Sequence, residues 1–290
     1  MTEFPVQITC DSTADLSDAL YQKYQIAVSP LYINTNEGQS YQDGVNFRPE
    51  DIYAYVDRTG ELTKTSACTV EDYLRLFRQY TDTGKQVVHI NISSEFSSCY
   101  QNACIARDEI GGGLVEVVDS RNLSTGTGHA VLEAAEMAAQ NKNAGEIAAW
   151  LRTQIIPCVE ASFVIDQLRY LKMGGRCSSI VALGANLLKL KPCIEVTDGK
   201  MSVGKKYRGS LAKALTDYVS DRLQGRTDIN RKRVFVTHTA CDPAVVQQIV
   251  TMTKELGGFE EIIETTAGCT ITNHCGPGTL GILFLRNSEK

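Results

Sequence analysis

The 290-residue chain is 43% hydrophobic and 22% charged with a net charge of −5, which excludes disorder and, for want of a basic excess, a general nucleic-acid binder. Its length exceeds what one hydrophobic core usually holds, so two domains are expected. No apolar run reaches the ~20 residues that span a bilayer, and Met1-Thr2-Glu3-Phe4-Pro5 has neither the basic start nor the apolar stretch of a signal peptide; a cytoplasmic protein is expected.

Short runs rich in Val and Ile predict strands over residues 6–10, 26–33, 87–92 and 114–118. Between them, Thr69 with Asp72 three residues on marks a helix start, followed by Tyr73, Leu74, Leu76, Phe77 and Tyr80. Helices are expected over 124–141 and 144–156. Such alternation makes a mostly parallel sheet with helices on both faces. The second half predicts strands over 161–165, 192–197, 200–203, 233–237, 262–265 and 279–285, and helices over 211–223 and 243–256. Asp198-Gly199 is a hairpin dipeptide, so this sheet is expected to be mixed. The fold class is therefore α/β with a domain at 1–159 and another at 160–290, the boundary falling near residues 157–161.

Several chemistries are tested and set aside. The ten cysteines include no C-x-x-C pair, and no two of the four histidines stand at chelating spacing, so no metal site is expected. Gly276-Pro277-Gly278-Thr279-Leu280-Gly281 matches G-x-G-x-x-G but leads into a predicted strand, where the dinucleotide fingerprint must open a helix. There is no P-loop and no G-x-S-x-G elbow. Lys205, Lys206 and Arg208 form a basic cluster expected to be solvated surface.

Three polar segments fall where loops are expected: Thr63-Lys64-Thr65-Ser66, residues 92–98 with Ser93, Ser94, Ser97 and Ser98, and residues 270–278 with His274. Hydroxyls and free N–H groups at such places bind anions without net positive charge. They serve equally as caps and turns, and spacing alone does not show that they converge. Residues 180–188 are apolar around most of a helix circumference and suit either a tunnel lining or a core helix.

Six blocks in order resemble the DegV family. Asp11-Ser12-Thr13-Ala14-Asp15-Leu16 is similar to its D-S-T-A-D-L start, and Asp43-Gly44 with Thr65-Ser66 to the next block. Ile92-Ser93-Ser94-Glu95-Phe96-Ser97-Ser98-Cys99-Tyr100-Gln101 resembles I-S-S-x-L-S-G-T-Y-Q, and Val118-Asp119-Ser120 matches V-D-S. Leu171-Lys172-Met173-Gly174-Gly175-Arg176 resembles L-K-K-G-G-R, and the segment from His274 to Gly281 resembles H-x-G-P-G-A-L-G. The resemblance implies two α/β domains enclosing a long-chain fatty acid such as palmitate. It implies a carboxylate held at Thr65, Ser97 and His274, with Ser66 and Ser98 beside them, and no cofactor or catalysis. Arg176, with Gly175 and Ser94, would face the pocket or a partner. Some members are the binding subunit of a bacterial fatty-acid kinase, presenting the carboxylate to a separate ATP-binding protein; transient membrane-surface contact would serve lipid exchange. The chain departs from the pattern where Ser98-Cys99 replaces Gly-Thr and where Ala67-Cys68-Thr69-Val70 replaces a proline-containing stretch. The alternative is an acyl hydrolase with Ser97 as nucleophile, His274 as base and Asp11 or Asp119 as orienter.

Overall fold

The computed structural model describes residues 5–179 and 190–287; the apolar stretch 180–188 lies outside the described residues. The first half runs β1 (Val6–Asp11), α1 (Asp18–Lys23), β2 (Ala27–Ser29), β3 (Tyr32–Asn34), β4 (Ser40–Gln42), α2 (Pro49–Thr59), β5 (Lys64–Ser66), α3 (Val70–Thr81), β6 (Gln86–Asn91), α4 (Cys99–Ile110), β7 (Val115–Asp119), α5 (Thr125–Ala139) and α6 (Ala144–Trp150). Strands β2-β1-β6-β7 form a parallel sheet. Its side chains alternate between two covered faces, as the pleat requires. Val87, Val115 and Val117 pack with Tyr73 and Phe77 of α3 and Ala103 of α4, whereas Ile8, Val88, Ile90 and Val118 pack with Ala130 and Ala134 of α5 and Ile147 of α6.

Three sequence expectations need correction. Residues 26–33 are not one strand: the ladder of β2 stops at Ser29, Pro30 brings no N–H to extend it, and the chain turns into a separate antiparallel sheet, β4-β3-β5. The segment from Thr63 to Ser66 is not a loop but supplies β5, the edge of that small sheet. The helix expected over 144–156 loosens into a wider turn at Leu151–Ile155 before Pro157. The Thr69–Asp72 capping box forms as expected.

The second half comprises β8 (Val159–Val164), α7 (Leu168–Gly174), β9 (Leu190–Thr197), β10 (Lys200–Arg208), α8 (Leu211–Leu223), β11 (Ile229–Thr239), α9 (Pro243–Gly257), β12 (Glu261–Thr266), α10 (Cys269–Cys275) and β13 (Thr279–Arg286). These strands form a mixed sheet, β10-β9-β8-β13-β11-β12, in which β11 and β12 are the parallel pair. The β9–β10 hairpin turns at Asp198 and Gly199, both at positive φ, as its dipeptide predicts. Lys205, Lys206 and Arg208 are exposed on β10 at the sheet edge.

Helix α5 lies between the parallel sheet and the large mixed sheet. It is buried around its circumference, its Thr125 hydroxyl meets Thr237 of β11 at 2.6 Å, and His129 Nε2 donates to the Leu283 carbonyl of β13 at 3.0 Å. The residue expected to be a loop histidine, His274, sits in α10, so the third polar segment is a correction too: most of it is helical.

Candidate functional site

Three elements carry the hydroxyls and the histidine together. Strand β5 pairs with β3 and sets Thr65 opposite Ile33, leaving Lys64 and Ser66 exposed while Thr65 turns inward. The 92–98 loop leaves β6 and runs into α4. Helix α10 is short, and tertiary bonds hold its first turn: Asp43 accepts from the N–H groups of Cys269 (2.8 Å) and Thr270 (3.0 Å), and Asp15 accepts from that of Gly268 (2.9 Å). Thr63 donates to Asn273 Oδ1 at 2.6 Å and clips β5 to α10.

These elements surround a cavity of about 260 Å³. Thr65, Ser66, Ser97, Ser98, Arg176, Thr270 and His274 give it a polar wall; Leu31, Ile92, Phe96, Leu171, Met201 and Ile271 are among its apolar lining. A small void sharing Leu123, Ile271 and Cys275 with it continues toward Phe163 and Leu283 of the large sheet. Thr65 Oγ1 lies 2.9 Å from His274 Nε2. His274 Nδ1 and the Thr270 hydroxyl are buried with no partner among the described residues. The imidazole rests against Gly174, where a Cβ would come within 2.2 Å of Nδ1.

Arg176 is the cation of the cavity. It donates to the carbonyls of Gly174 (2.8 Å) and Phe96 (3.4 Å), and no described carboxylate pairs with it. Burial, together with the Arg176 charge, pushes His274 down to about 4, so it is neutral at pH 7. The wall thus offers one positive charge, a neutral imidazole and several hydroxyls, a set suited to one carboxylate.

Both His274 and the buried His129, lowered to about 3 chiefly by burial, are neutral when folded and bind protons on unfolding below pH ~6.5. Their contribution is complete above that pH and is lost as pH falls toward the folded values. Between pH 7 and pH 5 each histidine is expected to cost the fold about 2 kcal/mol, while the buried Asp15, pushed up to about 8 chiefly by burial, acts in the opposite direction. Urea denaturation at both pH values therefore compares the parent protein with His274→Gln, whose loss of stability on acidification is expected to be about 2 kcal/mol smaller; equal losses would contradict neutral burial.

The structure places most of the expected residues at the cavity, with two exceptions. Ser94 instead donates to Asp119 (2.6 Å), and Gly175, in a left-handed turn after α7, does not line the cavity. The geometry gives the hydrolase alternative no support. Ser97 donates to Cys99 Sγ (3.1 Å) rather than to His274. Asp11 is engaged by Tyr73, Asn91 and the Ile92 N–H, and Asp119 by Ser94. Neither orients His274. Thr270 was missed because nothing in its sequence context separates it from a capping threonine.

Two larger hollows are less suited to an acyl ligand. One, of about 650 Å³, is lined by the acidic Asp15, Asp18, Asp43, Glu50 and Glu264. The other, of about 640 Å³, is lined by arginines already paired, Arg226 with Glu160 at 2.7 Å and Arg222 with Glu195.

Fold and cavity define a three-sheet α/β protein enclosing a cavity with one polar and one apolar wall. The chain belongs to the DegV family: the family described as "Uncharacterised protein, DegV family" matches residues 5–287. A DegV domain-containing protein of Caldanaerobacter subterraneus is 32% identical over 96% of this chain and 98% of its own. A protein of Thermotoga maritima named fatty acid-binding protein is 30% identical over 95% and 96% of the two chains. The solved structure of a fatty-acid-binding DegV family protein from Thermus thermophilus superposes with a TM-score of 0.84 at 28% identity, covering 97% of this chain and 99% of that one.

Proposed function

We propose that this chain binds a long-chain fatty acid without catalysing its conversion, holding the carboxylate at Thr65, Ser97, His274 and Arg176 and the acyl chain along the apolar wall. The observation that carries this is the Thr65–His274 pair beside an Arg176 with no carboxylate partner among the described residues, on a cavity whose other side is apolar. The names of the Thermotoga and Thermus relatives support the ligand class. With Nε2 protonated, His274 donates to Thr65 Oγ1 and leaves the Thr65 proton for the ligand. Ser97 turns its hydroxyl from Cys99 to the same oxygens. Thr270 is a further donor on this wall.

Burying about 15 methylenes at ~0.8 kcal/mol each contributes roughly 12 kcal/mol gross, from which association removes several. Affinity then comes from the chain and head-group selectivity from the polar wall. Ser66, Ser98 and Arg176 are exposed at the rim, so the carboxyl end is the end shown to a partner. This suits presentation to a separate ATP-dependent fatty-acid kinase in the cytoplasm and exchange of ligand at a membrane surface. Among the described residues, no helix is long and apolar enough to cross a membrane. We divide the chain at 1–159 and 160–290 on sheet membership, the boundary falling at the first residue of β8, since every strand from β8 onward joins the large sheet.

Thr65→Ala and Ser97→Ala are each expected to weaken fatty-acid binding about tenfold, the loss of one hydrogen bond to a charge. Calorimetric titration checks this; unchanged affinity in both folded variants removes these residues from the site.

A further inference from the structure

Behind the polar wall lies a buried cluster that the fatty-acid reading does not use. Asp11 ends β1, Cys68 follows β5, and Cys99 opens α4. One carboxylate oxygen and the two sulfurs lie within 4.8 Å of one another, and all three residues are fully buried. The Cys68 thiol donates to the Pro30 carbonyl at 3.3 Å.

Each of these atoms is already aimed by an outer partner. Ser29 donates to Cys68 Sγ at 3.2 Å, and Ser97 donates to Cys99 Sγ at 3.1 Å when no carboxylate takes its hydroxyl. The Ile92 N–H donates to Asp11 Oδ2 at 3.0 Å and the Tyr73 hydroxyl to Oδ1 at 2.7 Å. Donors fixed on sulfur and carboxylate acceptors are what orients the ligands of a metal ion. In the same network Asn91 bonds both Asp11 oxygens through Nδ2, while its fully buried Oδ1 has no partner among the described residues.

We propose that Asp11, Cys68 and Cys99 form a site for a thiophilic d10 cation of the zinc type. Zn–S distances of ~2.3 Å and Zn–O distances of ~2.0–2.2 Å place neighbouring ligand atoms ~3.5–4 Å apart, which this cluster reaches with little contraction. Loading is an exchange without redox change: the divalent ion enters, two S–H bonds give up their protons, and two metal–thiolate bonds form. Access is short, because Ala67 and Ser98, the chain neighbours of Cys68 and Cys99, line the cavity. The ion ties the turn after Thr65 to the loop of Ser97, so both arms of the head-group site are held by one bond set.

Cadmium tests the site independently of any fatty acid. The full chain is used reduced, with the partly exposed Cys104, Cys158 and Cys241 changed to Ser. Titration with Cd2+ is expected to produce an ultraviolet thiolate-to-cadmium charge-transfer band that saturates at one ion per chain, releases about two protons per ion and is displaced by Zn2+. Adding Cys68→Ala or Cys99→Thr is expected to weaken Cd2+ binding roughly a hundredfold or more; Cys99→Thr keeps a hydrogen-bonding group beside Ser97, and circular dichroism checks its fold. Absence of a stoichiometric band, or a band that survives both substitutions, overturns the proposal.

Discussion

Gly174→Ala is expected to weaken fatty-acid binding about a hundredfold while the protein still folds. Gly174 closes α7, and the added methyl would stand 2.2 Å from His274 Nδ1 and 3.2 Å from Cγ and Cε1. Those separations are far inside contact distance, and the neighbour is a ring on a helix already anchored by Asp43. The imidazole must rotate away, which breaks its 2.9 Å bond to Thr65. Two groups then lose their hold on the carboxylate, and at about 1.5 kcal/mol or more each the total is about 3 kcal/mol. The fold should survive, because the clash is with one side chain at a cavity edge, at a cost of about 1–3 kcal/mol. Calorimetric titration paired with thermal melting distinguishes the two effects. Binding equal to the parent protein's would mean that His274 is not held by the space that Gly174 leaves.

Asp43→Ala is expected to destabilise the protein by about 4 kcal/mol and to weaken binding as well. The carboxylate is 4% exposed and accepts the Cys269 and Thr270 N–H groups and the Ser12 hydroxyl. Removing it orphans two N–H groups at the start of α10, each costing about 1–3 kcal/mol, a large share of the ~5–15 kcal/mol that stabilises a domain. Helix α10 has little stability of its own: Cys269-Thr270-Ile271-Thr272-Asn273-His274-Cys275 is rich in β-branched and polar residues. Fraying it releases His274. Urea denaturation measures the first effect, and hydrogen exchange at α10 locates it. A change below about 1 kcal/mol would show that α10 is held by other contacts.

The same features explain what was legible in the sequence. The parallel sheet was readable because its strands are short Val/Ile runs buried on both faces, and the Thr69 cap and the Asp198-Gly199 turn are local motifs that act locally. Residues 26–33 misled because Pro30 sits inside an otherwise uniform apolar run. Helix α10 and strand β5 were unreadable as elements. Neither has a hydrophobic period, and each exists because of a partner distant in sequence, Asp43 for α10 and β3 for β5. At the site, the hydroxyls and His274 were identifiable by residue type and by resemblance to the DegV family, whereas their convergence is a product of topology. Arg176 was open between pocket and partner, and it lines the cavity. The Asp11, Cys68 and Cys99 cluster escaped a search for C-x-x-C spacing because sheet order, not sequence proximity, assembles it.

A fatty acid held in the cavity behind Thr65, Ser97 and His274 is what the proposed function requires. Native and denaturing mass spectra of the protein purified from cells, followed by identification of whatever is released, test it most directly. A native mass in excess of the chain by one long-chain fatty acid, lost on denaturation, is expected. A protein that emerges empty and stays empty after incubation with fatty acids would contradict it.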